Sequence, residues 1–124
     1  MAEIVVIAHM KAQPGKEDEL KTALTGLIEP SHSDQGCILY TLHQGVDDPS
    51  RFAFVERWAS REDLEAHNGT AHVGALLEQA PALLAEAPDI AVRYGRSVRM
   101  AFQESHAVIT RASIGMASPA SPSG

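Results

Sequence analysis

Between Gly36 and His72 the chain reads GCILYTLHQGVDDPSRFAFVERWASREDLEAHNGTAH, two alternating segments joined by a polar turn and followed by a helix start. Alternation with a period of two marks strands that bury one face. The intervening Gly45–Ser50 stretch (GVDDPS) has the composition of a turn. Segments this close in sequence join most simply as an antiparallel hairpin. Over residues 37–44, Ile38, Tyr40 and Leu42 point one way and Leu39, Thr41 and His43 the other. From Arg51 to Trp58, Phe52, Phe54, Glu56 and Trp58 share one face, and Ala53, Val55 and Arg57 share its opposite.

The flanking sequence completes a small fold. Ile4 to Lys11 is rich in β-branched residues and reads as a first strand, closed by a Pro14-Gly15 turn. Lys16 to Glu29 follows a helical period, with Leu20, Leu24, Leu27 and Ile28 on one face and acidic Glu17, Asp18 and Glu19 in the first turn. Pro30 is expected to stop that helix, leaving Ser31 to Gly36 as a polar loop. Ser60 is a good N-cap, with Asp63 placed for a weak capping box, and its helix carries Leu64 and His67. Asn68-Gly69-Thr70 interrupts this helix, Ala71 to Gln79 resumes it, and Pro81 is expected to open a separate piece over 81–86. Ile90, Val92 and Tyr94 then alternate on a fourth strand. The order β-α-β-β-α-β is the ferredoxin-like split unit, an α+β fold with helices on one face of an antiparallel sheet.

Two helices cover only one side of such a sheet, yet both faces of its strands are apolar. In the first strand Ile4, Val6 and Ala8 oppose Val5 and Ile7. An open apolar face of that size is a partner surface, and pairing with a second copy is the simplest closed solution. A homodimer is therefore expected. The 124 residues suit one domain, expected over 1–99, followed by an arm or extra strand over 100–112 and a disordered tail over 113–124 containing ASPASPSG.

The net charge of −6 and ten scattered basic residues disfavour nucleic-acid binding. No apolar run approaches the roughly 20 residues that span a bilayer. MAEIVVIAHM lacks the features of a signal peptide, and the lone Cys37 fits a reducing compartment, so a soluble cytoplasmic protein is expected.

Several residues can carry chemistry, each beside a plainer reading. Glu56 shares a strand face with Phe54 and Trp58; among aromatics its pKa would rise, whereas a rim position would pair it with Arg57 or Arg93. Trp58 can form an aromatic wall for a flat substrate, or serve as ordinary core. Tyr40 can donate to a substrate oxygen, or pack with its hydroxyl satisfied. His67 lies one turn after Leu64 and suits a general base, or simply bonds to backbone. His72 is five residues on, about 140° away on an unbroken helix, so the pair is not expected to chelate one ion. His9 can face either side of its strand, while His32 and His43 read as surface residues. Gly-rich phosphate loops, nucleotide fingerprints, zinc spacings and GxSxG elbows are absent from the sequence.

The segments IVVIAHMKAQPGKEDEL, EPSHSDQGCILYTLHQGVDDPSRFAFVERWASREDLEAH and TAHV together resemble the antibiotic biosynthesis monooxygenase family, including small quinol monooxygenases, over roughly residues 3 to 98. The resemblance implies a dimeric α/β barrel of ferredoxin-like subunits. It further implies oxidation of phenolic, quinol or anthrone-type rings by dioxygen, with neither metal nor flavin. By the same resemblance the substrate lies between sheet and helices against Trp58, with Tyr40 and His67 nearby. Catalytic roles are then expected for His67, Tyr40 and Glu56, and substrate contacts for Trp58, Phe54, His9 and His72, with no cofactor. Some members carry Asn near the position of His9, so a haem-degrading role is less supported. Two other readings stand: an isomerase or lyase acting on a small carbonyl compound, and a binding dimer without turnover.

Overall fold

A computed structural model describes residues 2–95. The arm and tail expected over 100–112 and 113–124 lie outside those residues. Strands β1 (Ile4–Lys11), β2 (Cys37–Gln44), β3 (Arg51–Trp58) and β4 (Asp89–Tyr94) form one antiparallel sheet in the order β2-β3-β1-β4. β1 therefore lies inside the sheet, setting Val6 opposite Glu56 on one side and Val92 on the other. With the intervening helices, this is the ferredoxin-like arrangement that the element order predicts.

The hairpin of β2 and β3 forms as expected, with Tyr40 opposite Glu56 and Leu42 opposite Phe54. One detail differs. The register shifts between Cys37 and Leu39, so Ile38 is the extra residue of a bulge. Cys37 stands opposite Trp58, while Ile38 is 48% exposed and does not share the buried face of Tyr40. A bulge breaks the period of two at one point, and counting from Tyr40 toward the N-terminus then gives the wrong face.

The helices depart from expectation where the chain bends. The first helical stretch divides into α1 (Glu17–Thr25) and the short α2 (Ile28–His32). Pro30 lies in the first turn of α2, where a helix has no bonding partner for an N–H and proline is harmless. Ser31 is consequently helical and fully buried, rather than part of a polar loop. Farther on, α3 (Arg61–Asn68) starts at the Ser60 cap, whose side chain accepts from the Asp63 N–H at 3.1 Å. Thr70 caps α4 (Ala71–Leu83) through the Val73 N–H. Pro81 sits inside α4 instead of starting a new piece. The carbonyl it deprives belongs to Leu77, an exposed residue, and Gln13 Nε2 donates to the Pro81 and Leu84 carbonyls at the helix end, both at 3.1 Å.

Leu20, Leu24, Leu27, Leu64 and Leu83 of the helical layer meet Ile4, Val6, Met10, Phe52, Phe54 and Trp58 of the sheet in one core. Phe52, Phe54 and Trp58 thus belong to the covered face. The open face presents Val5, Ile7, Leu39, Ala53 and Val55, with Ile7 36% exposed. Among the described residues no helix is long and apolar enough to cross a membrane.

Candidate active site

β3 delivers Phe54, Glu56 and Trp58 to the covered face by simple alternation. Trp58 is fully buried, and its indole Nε1–H donates to Glu56 Oε1 at 2.9 Å. Glu56 is buried as well, so the rim arrangement with an arginine does not occur; Arg57 lies on the opposite face and pairs with Glu3. Burial raises the Glu56 carboxyl above its ordinary range, and the Trp58 bond and the nearby His67 ring only partly offset that.

Tyr40 reaches the same cluster from β2. Its ring lies 4.7 Å from Phe54, 6.4 Å edge-on from Trp58 and 5.4 Å from His67. Burial pushes the phenol far above its usual value, the Glu56 carboxylate adds to this, and Ser31 slightly counters it. Tyr40 is therefore a neutral hydrogen-bond donor across the physiological range, not a base.

His67 closes the cluster from α3. It is 4% exposed, and its imidazole lies 4.5 Å from the Trp58 indole. Its Nδ1 meets Asp34 Oδ2 at 2.8 Å, and His72 Nε2 meets the same oxygen at 2.8 Å. The 140° separation expected on an unbroken helix does not apply, because the chain turns at Gly69 and restarts at Thr70. Thr70 Oγ1 fixes that turn by donating to the His67 carbonyl at 2.7 Å. The two rings come within 5.9 Å, and Asp34, His67 and His72 offer ligand atoms within 4.8 Å of one another.

Asp34 is the site residue that sequence reasoning missed. It sits between α2 and β2, with its side chain 17% exposed. Burial alone would raise its carboxyl, but hydrogen bonds from both imidazoles together outweigh that and hold it below its ordinary value. A carboxylate that fixes a ring nitrogen also fixes which nitrogen remains free.

His9 lies elsewhere. It pairs with Ala53 on the open face and is exposed, so it is not part of this cluster. His32 and His43 are exposed, bonded to the Tyr40 carbonyl and the Thr41 hydroxyl. A groove of about 650 Å³ runs between α1 and α4, lined in part by Asp18, Thr22, Leu27, Leu76 and Gln79. It reaches the cluster at His72 rather than at the indole, which is enclosed by its neighbours.

An antiparallel ferredoxin-like sheet, with a carboxylate-held imidazole on the helix packed over it, defines a small α+β domain. The sequence pattern described as antibiotic biosynthesis monooxygenase matches residues 3–79, and the chain belongs to that family. The Synechocystis protein sll1783 is 34% identical over 89 residues, 72% of this chain and 60% of its own length, so this chain spans rather less than two thirds of that relative. Rv0793 of Mycobacterium tuberculosis, provisionally named a monooxygenase, is 32% identical over 92 residues, 68% of this chain and 90% of its own. The crystal structure of PA3566 from Pseudomonas aeruginosa superposes with a TM-score of 0.74 at 31% identity, covering 78% of this chain and 97% of that one.

Proposed function

We propose that this protein is a monooxygenase that oxidises a hydroxyl-bearing aromatic of phenol, quinol or anthrone type with dioxygen, acting as a homodimer. The observation that carries this reading is the buried imidazole of His67, oriented by Asp34 at 2.8 Å and set against Trp58 and Tyr40. A ring nitrogen held by a carboxylate is the usual form of a general base. It would remove the acidic proton of the substrate, leaving an electron-rich carbanion or phenolate that reacts with O₂ directly. One oxygen atom enters the ring as a carbonyl, and the other leaves as water with two hydrogens of the substrate. The electrons come from the substrate, so no external reductant is needed.

The remaining residues take supporting roles. Tyr40, kept neutral by burial, can donate to the developing oxyanion. Trp58 and Phe54 form the apolar backing of the imidazole and of Tyr40, and Glu56 is a second carboxyl whose pKa burial raises. His72 stands at the head of the groove, whose volume is in the range that holds a small aromatic. The open face with Val5, Ile7, Leu39 and Val55 supports the dimer, since pairing would bury apolar surface otherwise left in water. The domain extent over 1–99 and a cytoplasmic location belong to the same proposal.

An oxygen electrode tests it directly. Purified protein given a naphthohydroquinone or an anthrone, with no added cofactor, should consume one O₂ per substrate. Substitution of His67→Asn should lower that rate by about 10²–10⁴-fold. Oxygen uptake no faster than in buffer would overturn the assignment, and conversion under strict anaerobiosis would point to an isomerase or lyase using the same base.

A further inference from the structure

Asp34, His67 and His72 come from three different elements, the α2–β2 connection, α3 and α4, yet their ligand atoms lie within 4.8 Å of one another. We propose that these three side chains bind a divalent first-row transition ion. Two imidazoles and one carboxylate are a borderline-to-hard donor set that suits such ions. Metal bonds of about 2.0–2.2 Å place neighbouring ligand atoms about 3 Å or slightly more apart. Both nitrogens already stand 2.8 Å from Asp34 Oδ2 within a group spanning up to 4.8 Å, so an ion replaces the shared protons once the two imidazoles close on each other by roughly 1–1.5 Å.

The surroundings favour a cation with open positions. His67 is enclosed by Tyr40 and Trp58, which fixes the inner side of the site. His72 is 22% exposed and borders the groove between α1 and α4, so coordination positions not filled by protein face that space. Three protein ligands and an accessible remainder are the pattern of reactive rather than purely structural metal sites. Asp18 and Glu19 line the groove, among the described residues neither Lys nor Arg does, and Glu56 adds a further carboxyl behind His67. The Thr70 turn that brings the two histidines to one place is held by side-chain bonds to His67 and Val73 before any ion arrives.

An ion on His67 Nδ1 leaves the ring proton on Nε2, so the loaded protein lacks the free base of the oxidation proposed above; the two states are alternatives, and the test reads binding alone. Full-length protein stripped with a chelator would be titrated with Co²⁺ while its visible absorption is followed, and then with Zn²⁺ in competition. The expected result is one ion per chain with a ligand-field spectrum of nitrogen and oxygen coordination. Both His72→Ala and Asp34→Asn should weaken binding by at least about tenfold. His9→Ala, on the exposed far face, should leave it unchanged. His72→Ala removes a partly exposed side chain at the start of α4, so it remains a usable variant if the Asp34 substitution fails to fold. Absence of a Co²⁺ spectrum, or binding that His72→Ala does not weaken, would overturn the proposal.

Discussion

The two halves of the candidate site each hold a buried or largely buried carboxylate, and the fold drives them in opposite directions. In the sheet half, Glu56 lies on β3 with one indole N–H as its partner, and burial raises its pKa. In the helical half, Asp34 takes bonds from two imidazoles, which hold its pKa down despite burial. The same functional group is thus shifted toward its protonated form on one wall and toward its charged form on the other. Hydrogen-bond donors, rather than depth alone, set the difference. Pairs of titratable groups pushed apart in this way are what acid and base chemistry requires.

The harshest way to break the contrast is to remove its sheet half. Trp58→Ala deletes a fully buried indole and orphans Glu56, and should cost about 3–5 kcal/mol in urea unfolding. A loss below about 1 kcal/mol would mean that the indole does not organise this wall. Gly36→Ala tests the connection that carries Asp34. Gly36 has φ +79°, and an added Cβ would lie 2.1 Å from Asp63 Oδ2. The expected loss is about 2 kcal/mol, part of it from the left-handed backbone. Adding Asp63→Ala should recover only part of the clash, since its Cβ stays 2.6 Å from the added methyl, and none of the backbone part. Full recovery would show that the left-handed conformation costs little.

Asp34→Asn isolates the helical half, with an expected loss of roughly 1 kcal/mol near neutrality because the carboxylate is partly solvated. Its pH dependence has a definite sign. A carboxylate lowered on folding stabilises the protein above its unfolded pKa, about 3.9, and this is lost as pH falls through the folded value. The gap between wild type and variant, measured by denaturant titration, should therefore close in acid. A gap that stays constant down to about pH 3 would remove the assigned role of the two imidazole bonds.

Legibility in the sequence divides along the same line. β3 alternates without interruption, so the covered face of Phe54, Glu56 and Trp58 follows from counting by two. The Ser60 cap and the Asn68-Gly69-Thr70 break are local signals, and both have their expected positions. Asp34 escaped because it lies on no periodic element, and its partners are 33 and 38 residues away. The meeting of His67 and His72 was hidden by measuring their separation along a continuous helix, although the break between them was visible. A helix interruption cancels an angular argument across it, and the two histidines then had to be placed by the turn. Ile38 was misassigned for a related reason, a bulge of one residue that periodicity does not announce.

The smallest expected effect is the most discriminating. Glu56→Gln keeps an oxygen to accept the Trp58 N–H but cannot ionise. Because burial raises the Glu56 pKa above its unfolded value, the wild-type residue contributes most below that value, about 4.3, and loses this as pH rises through the folded pKa. Glutamine has no such loss. The unfolding free energy of the variant relative to wild type should therefore improve between about pH 4 and pH 8, by an amount within about 1 kcal/mol. For Asp34→Asn the variant's relative stability moves the other way as pH rises, through a lower pH window. If the two substitutions gave pH profiles of the same sign, the two carboxylates would share one environment, and the division of the site into a proton-holding and a charge-holding wall would fail.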